Sequence, residues 1–384
     1  MNALVVHSGG PTAVINASLA GIVAEARAVS RVTRVFGAQF GIEGMLRGDF
    51  IDLFAVDAAT LDRIARAPSS ALGTSRRAVT ATDLDRVIDV CRARDVRWLF
   101  YTGGNGSMET ARQLDAAARA ASYPLTVIGV PKTIDNDLAE TDHAPGFASA
   151  ARFFASAARD LSADNRALPG LVQVLEVLGR NAGWLTASTT LARRRPDDGP
   201  HLVYLPERPL PLATFLDDVQ RVFDDRGRCV VAVCEGQLDD NGEPFGADVR
   251  MSSRGPLATN LAHRLALLVT ERLGLKARGE KPGLIGRVSA DLAADVDRAE
   301  AWQCGEAAVR AADAGHSGVM VTIDRLPGAT YASTTGVVAL DRVAGLERLF
   351  PLEWIDRSGH DVSEAFRAWA RPLVGPLAPD ASFD

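Results

Sequence analysis

Four cysteines in 384 residues are too few and too scattered to staple a fold. Cys91, Cys229, Cys234 and Cys304 form no CxxC pair and have no histidine partner at metal-ligand spacing, the pattern of a reduced, cytosolic protein. Cys234 lies in an apolar run and is expected to be buried. The six histidines show no metal spacing either and are expected to be structural or solvated. No run approaches the ~18 uninterrupted apolar residues of a membrane span. The N-terminus lacks the basic residues and long apolar core of a signal peptide, so none is expected. A formal charge of -6 argues against sequence-independent nucleic-acid binding, and the five tryptophans form no stripe on which bases would stack. Two familiar phosphate devices are missing as well. There is no GxxxxGK[ST], and Gly103-Gly104-Asn105-Gly106 does not fit the dinucleotide GxGxxG. Internal repeats and low-complexity segments are absent.

What remains is an ordinary globular composition, 47% hydrophobic and 23% charged. The length exceeds the ~250–300 residues at which single cores stop growing, so two domains are expected. Leu4 to His7 reads as a strand, Ser8-Gly9-Gly10-Pro11-Thr12 as a tight turn, and Ala13 to Ala28 as a helix. Val32 to Phe36 is a second strand, and residues 37 to 80 read as irregular. Ala81 to Arg94 is helical, Arg97 to Tyr101 a strand, 102–107 a glycine turn and Met108 to Ala121 a helix. Leu125 to Val130 is a buried strand. A second series follows: helix 147–161, strand 172–177, strand 201–205, helix 212–225 and strand 229–234. Residues 236–255 read as loop, 260–273 and 289–314 as helical, and 318–323 as a strand. The run Arg193-Arg194-Arg195 is expected to be a solvated loop. Alternation of strands and helices predicts two doubly wound, Rossmann-like α/β domains with mostly parallel sheets.

Chemistry concentrates at strand ends. Turns at 8–12, 102–107, 131–137 and 179–183 each follow a predicted strand, and open α/β sheets place their ligands at that edge. Within Pro131-Lys132-Thr133-Ile134-Asp135-Asn136-Asp137 a carboxylate can take a proton from a hydroxyl, another can hold a metal, and a lysine can neutralise phosphate. Taken alone, the heptapeptide reads equally well as a polar turn that caps a helix.

Together these segments resemble the ordered motif set of the phosphofructokinase family. The set comprises Ser8-Gly9-Gly10…Asn16, Gly73-Thr74-Ser75-Arg76, Gly103-Gly104-Asn105-Gly106-Ser107, the heptapeptide, Glu176-Val177-Leu178-Gly179-Arg180, Glu235-Gly236 and Arg278…Arg287. The likeness runs from about residue 4 to residue 290. It implies the phosphofructokinase fold, with a phosphoryl-donor domain of residues 1–146 and about 286–345 packing back on it. A sugar-phosphate domain would take 147–285 and C-terminal helices at 346–371, leaving 372–384 as a weakly ordered tail. It implies phosphoryl transfer to the C1 hydroxyl of fructose 6-phosphate, the two domains closing over donor and sugar, with Asp135 as general base. Asp137 would orient it or help with the metal, and Thr133 would bond the sugar or the transferring phosphoryl. Gly9, Gly10, Gly104, Gly106, Ser107, Arg76 and Lys132 would contact the donor phosphates. Arg180 would stabilise the transferring group, while Gly179 and Glu235 hold the sugar and Arg278, Lys281 and Arg287 its 6-phosphate. The cofactor would be Mg²⁺ with Asn105 at the metal position. The resemblance further implies a homodimer or homotetramer, while the cysteine usage, charge and hydropathy read above lead us to expect a cytoplasmic protein with no nucleic-acid or membrane partner.

Departures from the family pattern lean the donor toward pyrophosphate, with ATP as the alternative. Asn105 stands where ATP-dependent members usually carry a metal-binding aspartate. Lys132, Thr110, Gly10-Pro11-Thr12 and Lys281-Pro282-Gly283 look like the pyrophosphate-dependent branch, whereas Gly106 leaves the room for a nucleotide that this branch usually closes. Leu284 and Leu171 replace basic residues of bacterial ATP enzymes, so a longer sugar phosphate stays possible. Ala20 and Ala24 replace effector-site arginines, and little effector control is expected. A non-catalytic sugar-phosphate-binding regulator is the remaining alternative.

Overall fold

In a computed structural model, residues 1–245, 249–252 and 255–379 are described. The chain divides into two compact units, Met1–Ser149 with Arg287–Arg348, and Ala150–Gly286 with the chain from Leu349 onward.

The first unit is built on a seven-stranded sheet. Its strands are β1 (Asn2–His7), β2 (Arg34–Ala38), β3 (Phe50–Asp52), β4 (Val96–Gly103), β5 (Thr126–Pro131), β12 (Val319–Arg325) and β13 (Ser333–Ala339), in the order β13-β12-β5-β4-β1-β2-β3. The five central strands run parallel, and β3 and β13 close the edges antiparallel. Central strands are buried on both faces, which explains why they read as near-continuous apolar runs. Helices α1 (Ile15–Ala26), α3 (Ala58–Arg66) and α11 (Asp295–Asp313) pack Leu19, Ile22, Leu61 and Ala308 on one face. The other face is covered by α2 (Ile42–Arg47), α4 (Ala81–Ala93) and α5 (Asn105–Ala120) through Met45, Val87, Met108 and Leu114. β1 leads to β2 on one side, while its other neighbour β4 leads to β5 on the opposite side. That reversal between β1 and β4 is the topological switch point where such sheets bind ligands.

The second unit carries a parallel four-stranded sheet in the order β11-β6-β8-β7. Its strands are β6 (Val172–Val177), β7 (Leu202–Tyr204), β8 (Cys229–Cys234) and β11 (Ala277–Glu280). Helices α8 (Leu212–Arg226) and α9 (Leu261–Leu273) cover one face with Phe215, Val219, Leu261 and Leu265. The unit also holds α7 (Trp184–Ser188), α12 (Glu364–Val374) and a hairpin of β9 (Val249–Ser252) and β10 (Gly255–Ala258). Helices α6 (Phe147–Ala167) and α10 (Ile285–Val288) each contain a point where the chain passes between units. The predicted α/β class with mostly parallel sheets is what the structure has.

Several local expectations are corrected. Residues 37–80 are not irregular. They hold α2, β3 and α3, the last started by Asp57, whose carboxylate accepts from Thr60 N at 2.9 Å. The stretch 236–255 is not all loop, since β9 lies in it, although residues 246–248, 253 and 254 are outside the described residues. Residues 346–363 are not helical beyond a short 3₁₀ turn. The predicted tail begins too early, because α12 continues to Val374, with Leu373 and Val374 buried. Arg152 donates to Val374 O at 2.7 Å, and Arg194 to Leu377 O at 2.9 Å. Residues 380–384 of that tail are outside the described residues. The arginine run is no solvated loop either: Arg193 Nη1 donates to both carboxylate oxygens of Asp361 at 2.8 Å, and Arg195 pairs with Asp198.

Candidate active site

At the end of β1 the chain turns through Ser8 and Gly9, and Gly9 at φ 79° occupies the left-handed region that favours glycine. Ser8 N donates to Thr102 O at 2.8 Å and Gly9 N to Ser75 O at 3.0 Å, tying the turn to β4 and to the 73–76 segment. Thr74 Oγ1 donates to Gly9 O. Lys132, only 3% exposed, donates from Nζ to Gly10 O at 2.8 Å. A Cβ at Gly10 would stand 2.9 Å from Arg287 Nη1 and 3.4 Å from Arg76 Nη2. Three cationic groups therefore surround one glycine turn, a concentration of positive charge suited to a compact polyanion.

Neutral groups hold the rest of this cradle. The fully buried Asn16 donates to Ala67 O at 3.1 Å and accepts from Ala71 N at 2.9 Å, clamping the segment that leads to Arg76. Ser70 donates to Gly73 O at 2.8 Å, so His7 Nδ1, 2.8 Å from Ser70 Oγ, carries the proton of their bond. Burial, and then the Lys132 charge, pushes the His7 pKa down to about 3, so its ring adds no charge beside the lysine.

The second turn, Gly103-Gly104, opens α5, whose first turn has neither a side-chain cap nor an acidic residue. Such a helix start presents its amides to an anion. Gly106 is exposed with nothing within 4 Å of a built Cβ, and Ser107 is buried. Thr110 Oγ1 donates back to Gly106 O at 3.0 Å.

The third turn separates its two carboxylates by environment. Asp137 is 3% exposed, accepting from Thr133 Oγ1 at 2.9 Å and from Asn105 Nδ2 at 3.0 Å. Asp135 is half-buried, its amide donating to Thr133 Oγ1 at 3.1 Å. Between them Asn136 sits at φ 55°, fully buried, its Oδ1 accepting from Ala144 N at 3.1 Å. Arg348 donates to Asn136 O from both Nε (3.2 Å) and Nη2 (3.0 Å). Asn105 acts here as a donor to Asp137, while its own Oδ1 is buried without a hydrogen-bond partner. Among the described residues no group of three or more His, Cys, Asp or Glu is arranged to hold a metal. The orphaned Asn105 oxygen beside Asp137 nevertheless fits a hard cation that keeps most of its oxygen ligands from a phosphate donor.

In the second unit Gly179 (φ 138°) and Arg180 (φ 51°) form a turn strained enough to need support. Arg180 O accepts from Cys234 Sγ at 3.4 Å, and a Cβ at Gly236 would overlap that carbonyl. Behind the turn, Gly183 N and Phe350 N both donate to Glu207 Oε1, at 2.9 and 2.7 Å. Trp184 then packs into an aromatic cluster with Phe350, Trp354, Phe366 and Trp369. Glu235 follows β8, its amide bonded to Val177 O at 2.8 Å. Lys281 pairs with the buried Glu176 at 2.6 Å, and Arg278 is exposed on edge strand β11.

The structure thus gathers Gly9, Gly10, Arg76, Lys132 and Arg287 at one turn of the first unit, and Thr133, Asp137 and Asn105 at another. Arg287, expected with Arg278 on a sugar phosphate, lies beside Arg76 over Gly10 in that unit. Sequence reasoning missed the supports, Asn16, His7 with Ser70, Arg348, Glu207 and Cys234, because each acts on a partner distant in sequence. Asn16 alone lay within a motif that was singled out.

A family model described as phosphofructokinase matches residues 2–312. The "Pyrophosphate--fructose 6-phosphate 1-phosphotransferase" of Rhodospirillum rubrum is 41% identical, covering 98% of this chain and 95% of that protein. The protein of the same name from Xanthomonas campestris pv. campestris is 39% identical over 98% of this chain and 92% of its own length. Among solved structures, a pyrophosphate-dependent phosphofructokinase from Nitrosospira multiformis superposes with a TM-score of 0.90 at 34% identity, covering 100% of this chain and 94% of that one. On the motifs, the fold and these matches together, the chain belongs to the phosphofructokinase family.

Proposed function

We propose that this chain is a pyrophosphate-dependent phosphotransferase acting on the C1 hydroxyl of fructose 6-phosphate. The observation that carries the reading is the cationic cradle at the switch point. Lys132 is bonded beneath Gly10, with the Arg76 and Arg287 guanidinium groups over the same residue. Phosphoryl transfer requires positioning and charge neutralisation more than covalent chemistry. The half-buried Asp135 takes the proton of the C1 hydroxyl as its oxygen attacks a phosphorus of pyrophosphate. The bridging P–O bond breaks, inorganic phosphate leaves, and fructose 1,6-bisphosphate forms. Thr133 and the amide-clamped Asp137 hold Asp135 in place and steer the transferring group. Asn105 and Asp137 would hold Mg²⁺ together with the donor's own oxygens, and the ion supplies further neutralisation of the phosphoryl charge. In the second unit Arg180, Gly179 and Glu235 are assigned to the sugar phosphate, with Arg278 and Lys281 on its 6-phosphate. The relatives named for pyrophosphate support the choice of donor.

One observation favours ATP instead: the space around Gly106 is open. Two variants separate the readings. Lys132→Ala should cost about 10²-fold in kcat/KM with pyrophosphate, as the loss of a buried charge aimed at the transferring group. Gly106→Asp fits without a clash and should leave pyrophosphate turnover nearly unchanged, whereas an ATP enzyme would lose its donor. Wild-type turnover with ATP alone at matched Mg²⁺ would overturn the proposal. A cytoplasmic homodimer or homotetramer completes the reading, with the exposed Leu284 and Ile285 as apolar surface for such an assembly to cover. Among the described residues no helix is long and apolar enough to cross a membrane.

A further inference from the structure

The segment that follows Asp137 returns alongside the turn it has just left. Thr133 N donates to Pro145 O at 3.1 Å, and Ala144 N donates to Asn136 Oδ1 at 3.1 Å. Residues 144 and 145 therefore brace the turn from behind, and His143 immediately precedes them. Its ring is fully buried, with Nδ1 2.9 Å from Asp142 Oδ2 and Nε2 2.6 Å from Glu300 Oε2. Carboxylate oxygens can only accept, so both ring nitrogens must donate and the ring is an imidazolium. Glu300 also accepts from Ser333 Oγ at 2.6 Å and from Tyr331 Oη, while Asp142 pairs with Arg325 at 3.2 Å. One turn earlier on α11, the fully buried Asp297 accepts from Gly146 N at 2.8 Å and from Ser149 N at 2.9 Å. Arg348, from the segment after β13, donates to Asp142 O at 2.9 Å.

We infer that the His143 imidazolium, held between Asp142 and Glu300, is a positioning group for the Thr133–Asp137 turn. Through Ala144 and Pro145 it fixes Asn136 and Thr133, which flank the base. This rests on the reading of Asp135 as that base. The charges facing His143 are Asp142 on its own segment, Glu300 and Asp297 on α11, Arg325 at the end of β12, and Arg348. Tyr331 and Ser333 complete the shell through Glu300. Burial pulls the imidazole pKa down, but the bonds and charges of Asp142 and Glu300 outweigh it and raise the group to about 9. Deprotonation of His143 removes a donor from one carboxylate and frees the 142–145 segment.

Glu300→Gln preserves shape. The amide oxygen can still accept from Tyr331 and Ser333, while the amide nitrogen now donates to a neutral His143. The expected result is a kcat lower by about tenfold with KM for sugar phosphate and pyrophosphate little changed, the signature of a displaced catalytic group. The alkaline limb of the kcat profile, expected near 9 in the wild type, should move down by about one unit or more. Imidazole ¹H–¹⁵N NMR of the wild-type protein should show one histidine titrating near that limb, and its signal should vanish in His143→Gln. A Glu300→Gln profile that superimposes on the wild type would overturn the inference. So would the absence of a histidine that titrates with the limb, a comparison that holds even if the variant fails to fold. If the wild type turns over with neither donor, the functional reading falls and amide exchange at Ala144 decides the positioning claim. Faster exchange of the wild type above pH 9 supports it, and exchange that follows only the intrinsic pH dependence overturns it.

Discussion

The two units hold their key turns by different means. In the first, the Thr133–Asp137 turn is fixed by charged and amide groups: Asn105 and Thr133 on Asp137, Arg348 and Ala144 on Asn136, and Lys132 beneath Gly10. In the second, the strained Arg180 turn has Cys234 and Gly236 against its carbonyl, the Glu207 carboxylate on Gly183 N just after it, and Trp184 leading from it into the aromatic cluster. A base must meet one hydroxyl at hydrogen-bond distance, and directional bonds deliver that. Aromatic rings packed edge-to-face and tilted fix a shape over a wider area with less directionality than hydrogen bonds.

The contrast predicts that volume changes damage the second unit and charge changes the first. Trp184→Ala should have the largest effect, about 3–5 kcal/mol of stability, because the cavity opens among four other aromatic rings. Chemical denaturation measures it, and a loss under about 1 kcal/mol would break the contrast. Gly236→Ala comes next. Its methyl displaces the Arg180 carbonyl, and kcat/KM should fall about 10- to 100-fold while secondary structure by circular dichroism is unchanged. The smallest effect is the pH dependence of the first unit, where two histidines act in opposite directions. His143, raised to about 9 from the usual 6.5, contributes stability that is fully present below 6.5 and is lost as pH rises through 9. His7, lowered to about 3, contributes stability present above 6.5 that is lost as pH falls from there toward 3. The melting temperature should therefore decline on both sides of neutrality. Glu300→Gln should move the alkaline decline to lower pH and leave the acidic one in place, and a loss of both would contradict the assignment.

The contrast also explains what could be read from the chain beforehand. Central strands such as β4 and β8 announced themselves because burial on both faces demands unbroken apolar runs. Edge strands β3 and β13 did not, since an edge exposes alternate residues and needs no such run. Helix α3 was hidden because only Leu61 and Ala65 of its nine residues are buried. At the site, the glycine turns and the heptapeptide were legible because their chemistry is contiguous. The supports were not: His143 and Glu300 are 157 residues apart, and Asn136 meets Arg348 across 212. Arg287 could not be placed from its motif because the chain passes between units just before it. The Arg193 run read as solvated because its partner, Asp361, lies 168 residues further on.

The most direct test of the account is ³¹P NMR of the protein with Mg²⁺, pyrophosphate and fructose 6-phosphate, run beside a sample in which ATP replaces pyrophosphate. The account predicts that pyrophosphate is consumed while inorganic phosphate and a sugar bisphosphate appear in equal amounts. The Asp135→Asn variant should slow this by about 10²-fold or more. Consumption of ATP with pyrophosphate untouched, or full activity in the Asp135→Asn variant, would contradict it.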